Sequence, residues 1–198
     1  DPEMCAALED PTNGNALETV VSNERVGVEM VMMLSGERPT LALRLIVKHG
    51  LAQAVFKVPT ERFVSGRPVS PGGSRTHVDW ETGMRVAETL FDSDFHVHGN
   101  TPLRHRSVDD RAGMFLAAML YPLADEEVKN KKAKMEPVVK VIVAEALKLS
   151  KKVTDHVYDV VTAATQLAQF IVPPAAAAAA ASSSSTAALA SSTSMSEV

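Results

Sequence analysis

From Pro173 to Val198 the chain reads PPAAAAAAASSSSTAALASSTSMSEV, with Glu197 as the one charged side chain and no aromatic residue. A stretch of this kind buries too little apolar surface to offset the entropy lost on ordering it. Its alanine run, Ala175 to Ala181, favours helix locally but is shorter than an isolated helix needs in water. Residues 173–198 are therefore predicted to form a disordered Ala/Ser-rich tail. Folding is confined to residues 1–172, a length that suits one domain or part of a larger one.

Within that body a packed core is possible, since 45% of the chain is hydrophobic. The formal net charge of −4 argues against a general nucleic-acid binder, which is normally basic. Cys5 is the single cysteine, so no internal disulfide can form, as in a reducing compartment. No apolar run approaches the length of a membrane span, and the opening DPEMCAALEDP is acidic and broken by proline, unlike a secretory signal. A start at Asp1 without methionine is the expectation for a fragment.

The pattern along the body is helical. Asn15 to Leu34 carries apolar residues near a 3.6-residue period, with Asn13 or Asn15 as cap and Ser35-Gly36 as stop. Pro39 fits a first helical position and Gly50 a C-terminal stop. Leu51 to Val58 reads equally as a short strand or more helix. Asp79 can cap a helix through Phe91, and Asp109 or Asp110 can open one that ends at Pro122. Ala124 to Lys134 is charged and predicted helical. Pro137 opens a further helix, and Ser150 caps the last, which stops at Pro173. Thr60 to Val78 and Asp92 to Asp109 read as loops, the second with one short strand at Phe95 to His98. The fold class is mainly α, an irregular multi-helix body with long loops.

Three groups of residues could carry chemistry. His96 and His98 alternate, so a strand would place both on one face, and His105, Asp109 and Asp110 could complete a metal site. A metal-dependent hydrolase would follow from that geometry, but the spacing lacks the HExxH or CxxC form of a strong metal motif. Two solvated loop histidines satisfy it as well, and no metal or cofactor is expected. Arg104, Arg106 and Arg111 suit bidentate pairing with carboxylate or phosphate, at a subunit interface, on RNA, or in local salt bridges. Lys129 to Lys152 holds eight lysines against Glu136 and Glu145. It could serve a small helical RNA-binding module, although no aromatic residues interleave with the lysines; the alternative is a solvated helical face.

The tract GNTPLRHRSVDDRAGMFLAAMLYPL, Gly99 to Leu123, together with the Ala-, Pro- and Ser-rich end, resembles the C-terminal part of the coat protein of totivirus-like fungal double-stranded RNA viruses, the victorivirus group in particular. The resemblance implies a mostly helical capsid subunit that self-assembles into an icosahedral shell around the genome and the viral polymerase. It implies a homo-oligomer with nonspecific contact to viral RNA, no membrane, no catalytic residue, and a location in the virion and host cytoplasm.

Overall fold

A computed structural model describes residues 2–59, 78–92, 106–129 and 133–171. The chain divides into a unit of residues 1–162 and a second of residues 163–198. Of the second unit the described part is the end of the last helix, to Ile171.

Among the described residues the architecture is helical with one small hairpin. The helices are α1 (Pro2–Glu9), α2 (Pro11–Thr19), α3 (Asn23–Ser35), α4 (Pro39–Lys48), α5 (Ala52–Phe56), α6 (Trp80–Asp92), α7 (Val108–Leu120), α8 (Val138–Val141) and α9 (Lys151–Ile171). Strands β1 (Glu127–Lys129) and β2 (Met135–Pro137) pair antiparallel, with Val128 opposite Glu136. The mainly α class read from the sequence is what the structure shows.

Caps set most of the boundaries. At the start of α2 the Thr12 hydroxyl bonds the Asp10 carboxylate and the Thr12 N–H donates to it as well, and these bonds, the hydroxyl's first, hold the carboxyl below the ordinary range. Pro39 occupies the first turn of α4, and Gly50 takes the left-handed conformation (φ 68°) just past its end. The Asp79 carboxylate accepts from the Thr82 N–H at 3.0 Å, opening α6 as expected. Ser150 caps α9.

Three expectations need correction. The single helix expected over Asn15 to Leu34 is two helices. Ser22 accepts from the Arg25 N–H and caps α3, because a serine hydroxyl offers the backbone a competing bond and so marks a start rather than an interior. Helix α7 opens at Ser107, which accepts from the Asp110 N–H at 3.1 Å. Asp109 and Asp110 lie in its first turn, where their charge suits the helix dipole. The helix expected over Ala124 to Lys134 is not formed among the described residues of that segment: after a 3₁₀ turn at Tyr121–Leu123 the chain enters strand β1. The charged run has helical propensity but no apolar stripe for a helix to bury. It does have one inward residue, Val128, in an exposed–buried–exposed alternation that suits a strand.

The core lies where α7 packs between α3 and α6, with α4 against both of the latter. Phe115, Leu116, Met119 and Leu120 of α7 meet Met30, Leu34, Leu43 and Phe56 in one buried cluster. Each such side chain contributes roughly 1.5–3 kcal/mol. The Phe56 and Trp80 rings stack at 5.1 Å. Helix crossings are close because two glycines allow it: a Cβ on Gly83 would lie 2.4 Å from the Met119 carbonyl oxygen, and one on Gly27 1.8 Å from that of Leu147.

Candidate nucleic-acid interface

Three described non-glycine residues have positive φ: Lys57 (44°), Ala133 (58°) and Lys148 (51°). A side chain in this region costs about 1 kcal/mol or more, and such residues persist where surrounding structure over-determines them. Lys57 and Lys148 line one cavity of about 330 Å³, and Ala133 stands shortly before β2 in the chain.

Lys57 follows α5 as its left-handed C-terminal residue. The turn sends its ammonium back to the start of α3, where it donates to the Glu18 carbonyl (2.8 Å) and to Asn23 Oδ1 (2.6 Å). The Asn23 amide in turn donates to the Glu145 carbonyl at 2.9 Å. One relay thus joins the end of α2, the first residue of α3 and a distant turn 122 residues along the chain.

That turn is the far wall. Helix α8 widens into a π-turn at Ile142–Ala146, closed by Leu147 N–H to Ile142 O and Leu149 N–H to Val143 O. Such widened turns are rare and frequent at functional sites. It presents Glu145 and is followed by Lys148. The hairpin supplies the third wall, with buried Val128 at the floor and Lys129 and Glu136 at the rim.

The lining is therefore three lysines, two glutamates, one asparagine and an apolar floor of Pro59, Val128, Val141, Ile142 and Ala146. Among the described residues neither Lys129 nor Lys148 has an ion-pair partner. Lysine ammoniums that are not engaged in an ion pair are point-charge ligands for phosphate, and the glutamates of the same lining add acceptors for hydroxyl or amino groups. A second concavity, about 550 Å³ between α3, α4 and α5, is walled by Leu17, Val26, Met30, Leu45 and Ile46. Its lining is mostly apolar, with Arg25 and Glu29 as the charged members.

The residues singled out from sequence are partly brought together here. Of the Lys129–Lys152 run, Lys129 and Lys148 reach the cavity. Lys140 instead sits 4.3 Å from the Tyr158 ring centre and 3.6 Å from Asp155, and Lys151 and Lys152 are exposed on the first turn of α9. Arg106 is exposed just before α7. Arg111 is half-buried and donates to the Gly36 carbonyl at 2.7 Å, tying α7 to the end of α3. His96, His98, His105 and Arg104 lie outside the described residues, as do the expected strand at 95–98 and the tail. Sequence reasoning missed Asn23, Lys57 and Pro59. The Ser22-Asn23-Glu24 run was a legible helix start, but nothing local signalled that Lys57 would turn left-handed.

Comparison with known proteins points the same way as this chemistry. A family described as "Probable RNA and SrmB-binding site of polymerase A" matches residues 15–62, the segment that carries Asn23, Lys57 and Pro59. The mitochondrial CCA tRNA nucleotidyltransferase of Saccharomyces cerevisiae is 29% identical over 163 residues, covering 76% of this chain and 30% of that protein. The tRNA nucleotidyltransferase cca2 of Schizosaccharomyces pombe is 29% identical over 150 residues, covering 75% and 28% respectively. The chain thus spans less than a third of the length of these relatives. No solved structure matches.

These likenesses overturn the coat-protein resemblance and what it implied: the capsid function, the icosahedral homo-oligomer with viral RNA and polymerase as partners, the virion, and the absence of enzymatic activity. Both relatives are enzymes. The tract that carried the resemblance has a plainer cause. Within Val108–Leu120 the residues Ala112, Gly113 and Phe115 to Leu120 are all buried, so its small and apolar composition is that of a central core helix. The metal-dependent hydrolase alternative gains nothing from these relatives either. Among the described residues no group of three or more His, Cys, Asp or Glu side chains gathers, and no helix is long and apolar enough to cross a membrane.

Proposed function

We propose that this chain is an RNA-binding part of a tRNA nucleotidyltransferase, and that the lysine-lined cavity is where it holds RNA. The observation that carries the reading is a coincidence of position. The segment matched by an RNA-binding family, residues 15–62, contributes Asn23, Lys57 and Pro59 to the cavity that also collects Lys129 and Lys148. The net charge of −4 makes broad electrostatic attraction weak, so binding rests on this local positive cluster. Arg106, exposed beside the described start of α7, would add a further phosphate contact. Transfer of nucleotides onto tRNA is what the relatives' names state of them, and for the whole protein it belongs to this proposal. So does location: the budding-yeast relative is by name mitochondrial, which supports a place inside a cell more broadly than the host cytoplasm expected from sequence.

The test is a titration of the chain with labelled tRNA at two salt concentrations. Binding that weakens with salt, and that drops about tenfold or more in the Lys129→Gln/Lys148→Gln double variant, is the expected result. Loss of two phosphate contacts should also flatten the log–log salt dependence by about two. Absence of tRNA binding at low salt, or an unchanged affinity in the double variant, would overturn the proposal.

A further inference from the structure

The lysines of the cavity are not alike. Lys129 and Lys148 are exposed at its rim. The Lys57 ammonium instead donates to the Glu18 carbonyl and to Asn23 Oδ1, so most of its donor capacity is already committed inside the protein. Lys148 is the anomaly. Its backbone is left-handed, at φ 51°, a conformation that a lysine keeps only where its surroundings impose it. No glycine or asparagine stands at that position to ease the turn.

What imposes it is one face of α3. Asn23 and Gly27 stand one helical turn apart on that helix. The Asn23 amide donates to the Glu145 carbonyl at 2.9 Å. At Gly27 the helix backbone passes so close to the Leu147 carbonyl oxygen that an added Cβ would lie 1.8 Å from it. The same face thus grips the π-turn at two carbonyls, immediately before Lys148. Asn23 holds its end in one orientation only. An amide has a donor end and an acceptor end, whereas an ammonium can only donate. Lys57, 2.6 Å from Asn23 Oδ1, therefore draws the amide oxygen toward itself and turns the NH2 group toward Glu145.

Resting on the RNA-binding reading above, we infer that Asn23 and Lys57 are positioning residues for Lys148, which is the residue that meets the phosphate. Lys57 orients the Asn23 amide. The amide holds the π-turn, and the held turn puts Lys148 into the left-handed backbone that aims its ammonium at the RNA. Lys129 stands on the hairpin, outside this chain of bonds, and does not depend on it.

A mutant cycle in tRNA binding, read at several salt concentrations, tests this. Lys148→Gln should weaken binding about threefold and flatten the log–log salt dependence by about one. Asn23→Ala changes no charge, yet should do the same. Adding Lys148→Gln to Asn23→Ala should then cost nothing further, while adding Lys129→Gln should cost a further factor of about three. A residue that merely supported the fold would weaken the contacts of both lysines alike. Amide exchange without RNA gives an independent readout. Asn23→Ala and Lys57→Met should each speed exchange at Leu147 and Leu149, whose N–H groups close the turn, and leave the amides of α7 unchanged. Should Asn23→Ala fail to fold, Asn23→Ser takes its place, since serine suits a helix start but is too short to bridge Lys57 and Glu145. Additive losses from Asn23→Ala and Lys148→Gln, an unaltered salt slope in Asn23→Ala, or a Lys148→Gln protein that binds like the parent would overturn the positioning role while tRNA binding still stood. Unchanged exchange at Leu147 and Leu149 would overturn it as well. A parent chain that binds no tRNA at low salt would remove the RNA reading, and the role of Lys148 with it, whatever the exchange shows.

Discussion

The α3–α6–α7 core and the hairpin–π-turn edge are built on opposite terms. In the core the local signals agree with one another. Apolar residues recur at helical spacing, caps sit where serine and aspartate stand, and the buried side chains, from Val26 to Val161 in sequence, form one cluster. At the edge the local rules are broken one after another: left-handed lysines, a widened turn, and a three-residue strand inside a run of charges. Such departures cost stability and survive where something else is gained. Here they converge on a polar cavity that gathers lysines from distant parts of the chain, which is why the edge rather than the core is the place to look for function.

The largest expected effect joins the two regions. Gly27 lies where α3 passes the π-turn, and an added methyl would fall 1.8 Å from the Leu147 carbonyl oxygen, a backbone atom. Gly27→Ala should destabilise by about 3 kcal/mol or more, since the two segments must separate. Gly83→Ala, facing the Met119 carbonyl at 2.4 Å, belongs to the same class. Gly113→Ala serves as the control: its first neighbour is the His156 side chain, which can move, and alanine regains up to about 1 kcal/mol of helix propensity. Urea unfolding of the three variants should rank Gly27 and Gly83 far above Gly113. A Gly27→Ala protein as stable as the parent would show that the π-turn is not held against α3 as described.

How much of this was legible follows from the same contrast. The helices whose termini carry Pro39, Gly50, Asp79 or Ser150 were readable, because caps and stops are local chemistry. The hairpin was not. Glu127, Lys129 and Lys134 have ordinary helical propensity, and what overrides it is the pairing of Val128 with Glu136 across the chain. The lysine run was noticed, but as one basic face; folding sends Lys140 to Tyr158 and Asp155 and leaves Lys129 and Lys148 to meet Lys57, far away in sequence. Composition misled in the other direction at Gly99 to Leu123, where the small and apolar residues that a central helix requires passed for a family signature.

A middle-sized effect isolates the edge. Lys57→Met keeps the length and apolar stem of the side chain but removes the charged donor to Glu18 O and Asn23 Oδ1. Hydrogen bonds to a charged group are worth about 1.5–3 kcal/mol where partly buried, so a loss of about 2 kcal/mol is expected. Lys57→Gly should lose less, because glycine relieves the left-handed backbone at φ 44°. Thermal melts of both variants decide the matter. Equal losses would mean that the backbone at position 57 carries no strain, and would weaken the claim that this edge is built from costly exceptions.

The smallest effect tests the other half of the contrast, that the core owes its stability to packing rather than charge. Arg44 on α4 and Glu88 on α6 are bonded side chain to side chain, across the helix pair that closes one flank of the core. Their position suggests a clasp, but their exposure does not: the two side chains remain 61% and 29% accessible. At such a site the Coulomb gain is screened by water and salt, and two long side chains lose rotamer freedom to hold it. A double-mutant cycle with Arg44→Ala and Glu88→Ala should therefore give a coupling of about 0.5 kcal/mol, within the range of exposed pairs, and it should shrink further as salt rises. Beneath the pair, Leu43→Ala, which empties a fully buried site, should cost several times more, about 3 kcal/mol. A coupling near that of Leu43→Ala would mean that α4 is held to α6 by charge, and the division between an apolar core and a polar, rule-breaking edge would have to be redrawn at α4.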